Sequence, residues 1–376
     1  MQERGRKKIA ILSDYPCWNY FEDIPRGGHP APWLTALHRS FAKDEAAYEV
    51  HWITLSKAVK KHRTMEAGGQ YMHVLPTGSK TLSQYLHYLP DRIRIAKCLR
   101  KIKPDLLHAW GTESCYGLSA KDFKGKKLFS LQGALTAYAQ RSYMPPFMIR
   151  QAKFEKGLLQ SMPIITTESE WARDRVLELA PGADVRLWEY AAEERFFNVE
   201  RKLSANPACL MIASASHIKN APTAIAAFSQ PELRHVKLYM AGINPGVYDN
   251  LPDNVIPLGK VDREKLVEVL QKSWALIHPS LADTGPTVVK EARVMGLPCI
   301  VSTECGSKQY VVPGKSGYVI SPMSVDSLVE GVLSIIKDAD TSLSMGEYDK
   351  ARCCEELSRA VMFEKIMALY KEILEG

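Results

Sequence analysis

The stretch WALIHPSLADTGPTVVKEARVMGLPCIVSTECGSKQYVVPGKSGYVISP, residues 274–322, decides how this chain of 376 residues is read. WALIHPS has the near-continuous apolar character of a strand buried on both faces. The loop ADTG follows it. Pro286, with Gly285 just before, stands where the first turn of a helix tolerates proline. The spacing predicts a helix over TVVKEARVM that ends at Gly296, a C-terminal cap residue. Val288, Val289, Ala292 and Met295 make its apolar stripe, and Glu291 lies off that stripe, toward the crevice. The first amides, those of Thr287, Val288 and Val289, point out of a positive helix end that favours an anion. This unit therefore offers amides for a phosphate and a carboxylate suited to a sugar diol. The plain alternative is a strand, a loop and a helix with a surface glutamate.

The same rhythm extends in both directions. Short aliphatic or β-branched runs are expected as strands at 8–13, 48–55, 71–75, 105–110, 127–132, 163–167 and 185–189, then at 208–214, 235–242, 254–259, 274–280, 298–302 and 317–320. Amphipathic stretches such as DREKLVEVLQKS separate them. Alternating strands and helices predict an α/β fold built from βαβ units with parallel sheets. The rhythm breaks in the polar stretch 190–207. We therefore expect two doubly wound, Rossmann-like domains, residues 1–195 and 196–357, facing a central cleft. A last helix over 358–376 places Val361, Met362, Ile366, Leu369, Tyr370 and Ile373 on one face and is expected to pack back on the first domain. Strand C-terminal ends gather ligand sites in such sheets.

Composition narrows the classes. Hydrophobic residues are 46% and charged residues 24%, which excludes a disordered or collagen-like chain. No apolar run approaches membrane-spanning length. The apolar part of the N-terminal stretch is too short for a signal peptide and reads as a first strand. Eight scattered cysteines include no Cys-x-x-Cys and no Cys/His cluster with local zinc spacing, so free thiols in a reducing cytoplasm are expected. The net charge of +7 is uneven: residues 50–127 carry 15 Lys and Arg against 5 Asp and Glu. A one-sided basic field suits an anionic partner such as a membrane surface, and the lack of interleaved aromatics argues against nucleic acid.

Read together, the elements of 274–322 resemble the nucleotide-binding signature of family 4 retaining glycosyltransferases, which have the GT-B fold. The resemblance rests on Pro279-Ser280, Asp283, seven residues, Glu291-Ala292, Gly296-Leu297-Pro298, Cys305-Gly306 and Gly317-Tyr318-Val319. The first acid is usually Glu in the family and is Asp283 here. More weakly, 212–228 resembles the family's first C-domain loop, with Lys219 in place. The family's Arg is missing there, and Ser214 or Ser216, with His217 nearby, occupies the region. In the first half, Gly27-Gly28 stands where the family has a Gly-rich turn. LLHAWG and SLQG look like its strand ends, with Gln132-Gly133 where His-Gly is common. TTESEWARDRV (166–176) is similar to its strand-helix junction.

The resemblance implies transfer of a sugar from a nucleotide diphosphate sugar, with retention, to a glycan or lipid-linked acceptor in cell-surface polysaccharide or glycoconjugate synthesis. No cofactor or metal is implied, and Asp338-Ala339-Asp340 reads as a solvated helix end. Lys219 and the amides of 287–289 would stabilise the departing diphosphate, with Ser216 bonding a phosphate. Glu291 would hold the ribose. Asp283, with Thr284, Gly285 and Pro286 of its loop, would hold the transferred sugar. Backbone around Val261 would meet the base, and Gln132 would bond the sugar's other face. Gly28 is grouped with the donor side; Gly27, His29 and His108 are grouped with the acceptor side. A cytoplasmic enzyme at the inner membrane face is the expected setting. A sugar-nucleotide epimerase and a non-catalytic binding subunit are the alternatives.

Overall fold

The computed structural model describes residues 6–26, 31–43, 48–214 and 216–376, with the side chain of Lys80 outside that description. The chain divides into two compact units. One comprises residues 1–136, 145–189 and 359–376; the other comprises 137–144 and 190–358. The short insertion of 137–144 into the second unit has no counterpart in the sequence reading.

The first unit holds β1 (Lys7–Leu12), β2 (Tyr48–Ser56), β3 (Arg63–Ala67), β4 (Gln70–Pro76), β5 (Leu106–Trp110), β6 (Lys126–Ser130), β7 (Ile164–Thr167) and β8 (Asp184–Leu187). Their order is β3-β4-β2-β1-β5-β6-β7-β8. All neighbours are parallel except β3, which runs antiparallel to β4. β3 is the strand the sequence reading does not anticipate. RTMEA is polar and mostly exposed, so it lacks the apolar run of a buried strand. Its signal is the Gly68-Gly69 turn, with φ of +58° and +70°, a two-residue hairpin connection.

The last helix, Arg359–Glu375, belongs to this unit. It buries Met362, Ile366, Leu369 and Tyr370. Phe363 meets Phe41 edge-on at 5.2 Å, and the Trp188 indole donates to the Met362 carbonyl at 2.9 Å.

The second unit holds β9 (Ala208–Ile212), β10 (Lys237–Ala241), β11 (Val255–Gly259), β12 (Ala275–His278), β13 (Cys299–Ser302) and β14 (Gly317–Ile320). Their order, β11-β10-β9-β12-β13-β14, is all parallel. Both faces are covered. Met211, Ile277 and Ile300 enter one apolar cluster, while Leu210, Leu276 and Val301 enter the other. That alternation explains why these strands read as unbroken apolar runs. Gly317, at φ +143°, lets β14 start against β13: a Cβ there would stand 1.9 Å from the Cys299 carbonyl oxygen. The strand order reverses between β9 and β12, and a crevice opens at such a point beyond the strand C-terminal ends.

All eight cysteines are free thiols, and Cys354 alone is only partly buried. Among the described residues, no helix is long and apolar enough to cross a membrane.

Candidate functional site

The loops leaving β9 and β12 meet at this switch point. After β9 the chain makes a single turn over His217–Lys219, and Asn220 takes up a left-handed conformation, φ +56°. The Asn220 amide group donates to the carbonyls of Pro279, at 2.9 Å, and Pro322, at 2.6 Å. The Leu281 amide donates to the Ile218 carbonyl at 2.8 Å. These bonds hold the turn against the end of β12 and bring Lys219 beside Asp283, 64 residues away in sequence.

Asp283 is pinned by its backbone. Its amide donates to Glu304 O at 3.0 Å, and its carbonyl accepts from Gly306 N at 2.8 Å. Its buried carboxylate accepts from the Lys219 ammonium and from His278 Nε2, the latter at 3.1 Å. Burial alone would raise the carboxyl's pKa. The Lys219 charge and the His278 hydrogen bond outweigh burial and hold it well below the usual carboxylate range. Burial also keeps His278 below its ordinary value, so this imidazole is neutral at pH 7.

The helix after this loop runs Thr287–Val294, with Pro286 at its N-cap and Gly296, φ +74°, beyond its end. The Val289 amide donates to Pro286 O at 3.1 Å, so it is not one of the open amides expected. Among the described residues, the amides of Thr287 and Val288 have no protein acceptor. Burial also extends beyond the apolar stripe. Lys290, Glu291 and Arg293 are all buried. Lys290 Nζ donates to the Tyr190 carbonyl at 3.3 Å. Arg293 donates to the carbonyls of Tyr310, Leu297, Gly346 and Tyr348. The helix is thus tied into the unit by its cations, and Val288 is only half-buried.

Glu291 is 1% exposed. Arg263 Nη1 approaches its two oxygens at 3.2 and 3.5 Å, and Arg263 Nε lies 3.3 Å from Glu193 Oε2. Arg195 pairs with Glu193 and Glu264. Burial dominates and pushes the Glu291 carboxyl up to about 7, even though Arg263 pulls it down. Arg263 opens the helix Arg263–Lys272, capped by Asp262. Val261 precedes that cap and packs, half-buried, against the apolar cluster to which Val289 and Ala292 belong.

Sequence reasoning missed the residues 137–144. The Tyr138 hydroxyl accepts from the Thr284 amide at 3.2 Å and donates to Thr284 Oγ1 at 3.4 Å. The Thr284 amide, expected to meet a sugar, is therefore bonded to protein. Arg141 Nε donates to Glu304 Oε2 at 2.9 Å, and Tyr143 meets His217 edge-on at 5.4 Å. Ser216 and His217 are exposed. No local motif points to Tyr138; an aromatic near Gln132-Gly133 is the one weak cue.

In the first unit the expectations divide. Gly27, Gly28 and His29 lie outside the described residues. His108, expected on the acceptor side, is fully buried in the core. Its ring nitrogens engage Tyr370 Oη at 2.7 Å and Ser130 Oγ at 2.6 Å, and it stacks on Trp110. It is a packing residue with no atom to offer a ligand. Gln132 is half-buried beyond β6, near Gly111 and Glu113: a Cβ on Gly111 would lie 3.4 Å from Gln132 Oε1 and 2.4 Å from Glu113 Oε2. A pocket of about 140 Å³ opens beyond β1, β2, β4 and β5, lined by Asp14, Lys57, Thr77, Ser83, Asp91 and Tyr116 among others. Asp338, in the second unit, caps the helix Ala339–Glu347 by accepting from the Thr341 amide, as a helix-end reading requires.

Residues 192–352 match the family described as Glycosyl transferases group 1. N-acetyl-alpha-D-glucosaminyl L-malate synthase of Bacillus anthracis is 27% identical over 124 residues, 33% of this chain and 31% of that protein. Alpha-maltose-1-phosphate synthase of Mycolicibacterium smegmatis is 25% identical over 115 residues, 29% and 30% of the two chains. The match thus spans about a third of these curated relatives. Among solved structures, sucrose-phosphate synthase from Thermosynechococcus elongatus superposes with a TM-score of 0.80 at 16% identity, covering 98% of this chain and 100% of that one. A glycosyltransferase from Rickettsia africae gives 0.72 at 15%, covering 99% and 100%. Anabaena HepE in complex with UDP and glucose gives 0.70 at 13%, covering 97% and 100%. The chain therefore has the α/β fold of GT-B proteins, with two parallel-sheet Rossmann-like domains, and its residues 192–352 form a domain of the Glycosyl transferases group 1 type.

Proposed function

We propose that this chain is a metal-independent, retaining glycosyltransferase that draws on a nucleotide diphosphate sugar and glycosylates a glycan or lipid-linked acceptor in cell-surface polysaccharide or glycoconjugate synthesis. The observation that carries the reading is Glu291. It is a buried carboxylate that titrates near neutrality, one turn inside a helix whose first two amides have no protein acceptor. Arg263 is its partner in the free protein, and a ribose diol could use the same carboxylate as a double acceptor.

The other roles follow from position. The amides of Thr287 and Val288, with Lys219, face the charge that develops as the diphosphate departs. Ser216, exposed at the same turn, adds a hydroxyl for a phosphate. Asp283 and the Gly285-Pro286 loop meet the transferred sugar, and backbone at Val261 meets the base. Gln132 is proposed as a further hydrogen-bonding group for a sugar. The pocket at the strand ends has mostly apolar walls into which Asp14, Asp91, Thr77 and Lys57 bring charged and hydroxyl groups, an arrangement suited to a sugar-like acceptor with an apolar face. Sucrose-phosphate synthase and the UDP-bound Anabaena protein support a sugar-nucleotide donor for this fold.

The test is a thermal-shift series with UDP, GDP, ADP and their glucose esters, without added Mg²⁺ or Mn²⁺, followed by diphosphate release assays. One nucleotide class should raise Tm and be released from its sugar ester, slowly by hydrolysis when no acceptor is present. If no nucleotide shifts Tm and none is released, the proposal fails.

The acceptor's lipid anchorage has its own support. Leu82, Tyr85, Leu86 and Leu89 are 48–65% exposed on consecutive turns of Lys80–Tyr85 and Leu89–Ile102. Arg150 lies over the Tyr85 ring at 5.2 Å, and Lys97, Arg100 and Lys101 are exposed on the second helix. Apolar anchors beside a basic rim suit an anionic membrane surface. Sedimentation with phosphatidylglycerol vesicles at low salt should capture the protein. L86E/L89E should reduce binding at least tenfold, and neutral vesicles should capture little. Equal binding by wild type and variant would assign the patch elsewhere.

A further inference from the structure

The edge of the first unit's sheet gathers four titratable side chains that the transfer reaction does not use. His51 on β2 and His73 on β4 stack with ring centroids 5.3 Å apart. His62, just before β3, lies 5.3 Å from His73 by the same measure. Cys98 comes from the helix Leu89–Ile102. His62, His73 and Cys98 can each present one ligand atom, and all three atoms fall within 4.8 Å of one another.

The hydrogen bonds fix which nitrogens face inward. Lys8 pairs with Glu49 at 3.0 Å, and the Glu49 carboxyl stays below its usual value, so it is ionised at neutral pH. His51 Nε2–H donates to Glu49 Oε1 at 2.8 Å. In a neutral ring His51 Nδ1 is then the acceptor, and it takes the proton of His73 Nε2 at 3.0 Å. His73 Nδ1 therefore carries a bare lone pair. That lone pair faces His62 Nε2 at 3.2 Å and Thr64 Oγ1 at 3.1 Å. A carboxylate-to-histidine relay behind a lone pair is the outer-shell arrangement that fixes the tautomer and orientation of a metal-binding imidazole.

We infer that His62 Nε2, His73 Nδ1 and Cys98 Sγ form a binding site for a zinc-class divalent metal ion. Two nitrogens on a tetrahedral zinc, each ~2.0–2.1 Å from it, stand about 3.3 Å apart. The observed 3.2 Å between His62 and His73 already matches that edge. The sulfur lies within 4.8 Å of both nitrogens and needs a shift of at most about 1.2 Å to reach its own edge of about 3.6 Å, within the freedom of one cysteine rotamer. His62 is exposed and gives the ion a way in. The Thr64 hydroxyl lies 3.2 Å from His62 Nε2 and 3.1 Å from His73 Nδ1, at the corner a fourth ligand would take. Binding would clamp the Leu89–Ile102 helix to the sheet edge and to the chain entering β3.

The local electrostatics agree. Burial first, then the charges of His51 and His62, push His73 down to about 3, so it is neutral as a metal ligand must be. Burial pushes the Cys98 thiol up to about 11, while the Lys101 ammonium favours the thiolate. A metal ion would replace that thiol proton. The sequence shows no such site, because its ligands are 11 and 25 residues apart on three elements, far from any local zinc spacing.

The test is titration of chelator-treated full-length protein with Co²⁺, then displacement by Zn²⁺. One Co²⁺ should bind per chain with a thiolate-to-cobalt charge-transfer band, and Zn²⁺ should abolish that band and raise Tm. C98A should lose the band. H62A, at an exposed position that leaves the core intact, should weaken Zn²⁺ affinity at least tenfold. H51F, which keeps the ring stack but breaks the relay, should weaken it about 10- to 100-fold. Absence of the band in wild type, its survival in C98A, or unchanged affinity in H62A would each overturn the assignment and leave a metal-free hydrogen-bond chain.

Discussion

Glu291→Gln should make the protein harder to unfold at pH 8 and, at the same time, a much poorer binder of the proposed nucleotide donor. Both effects come from burial. The folded-state pKa of Glu291 is about 7 against an ordinary 4.5. Folding therefore binds a proton between those values, and stability falls as pH rises from 4.5 to 7. Above pH 7 wild type bears the full cost of a buried charge. Each pKa unit corresponds to about 1.4 kcal/mol, so the glutamine variant should gain about 1–3 kcal/mol at pH 8. Arg263 keeps Glu193 as a partner, so the exchange does not strand a cation. The gain should shrink toward zero at pH 5, where wild type carries the protonated acid that glutamine mimics. Urea unfolding at both pH values checks this. Donor affinity should move the other way. Losing a charged acceptor costs about 1.5–3 kcal/mol, roughly 10- to 150-fold in Kd. Wild-type affinity should fall as pH drops below about 7, when Glu291 protonates, whereas that of the variant should be flat. A variant that is neither more stable at pH 8 nor weaker for donor would return Glu291 to a packing role.

This opposition between stability and binding also marks where the sequence could and could not be read. Both sheets were legible because parallel strands covered on two faces leave long apolar runs: ALIH and CIVS bury every residue. β3 was not, because an exposed edge strand has no apolar side to declare it. Around the candidate site, what the local strand-loop-helix order sets was legible: the loop that holds Asp283, the helix that carries Glu291, and Gly296 beyond its end. What depended on another element was not. Lys219 was expected to face phosphate and is found bonded to Asp283. Thr284 was expected to face a sugar and donates to Tyr138, 146 residues away. His108 read as a strand-end ligand because the pattern shows position along a strand and not the helix that covers it; Tyr370, 262 residues on, closes that face. Arg263, the cation against Glu291, reads in sequence as an ordinary surface residue of a charged helix. Periodicity reports which face is apolar, and it is silent on which buried charges have found each other.

Lys219→Ala should lower turnover about 10²- to 10³-fold, the usual loss when one preorganised charge is removed from a developing anion. It should also destabilise the protein by about 1–3 kcal/mol. Asp283 stays buried with His278 as its remaining partner, and Lys219 is partly exposed, so the loss falls below that for a fully buried pair. The pH dependence separates the pair from a generic surface effect. In wild type the Asp283 carboxyl is held below its ordinary value of 3.8. Its contribution is present above that pH and disappears as pH falls through the folded-state value. Without Lys219 the depression is lost, so the stability gap between wild type and K219A should close below about pH 4. The double variant K219A/D283N then distinguishes structure from chemistry. Removing the stranded charge should recover most of the lost stability, because an isosteric amide can still bond His278. D283N alone sets the reference, because Asp283 is also proposed to meet the sugar. If Lys219 served only to neutralise Asp283, the double variant would turn over as fast as D283N. If Lys219 meets the departing diphosphate, the double variant should fold like wild type and remain at least a hundredfold slower than D283N. In the free protein the ammonium belongs to Asp283, so a bound diphosphate must share it. The donor should accordingly raise the Asp283 pKa, visible as an acid limb in donor affinity that D283N lacks.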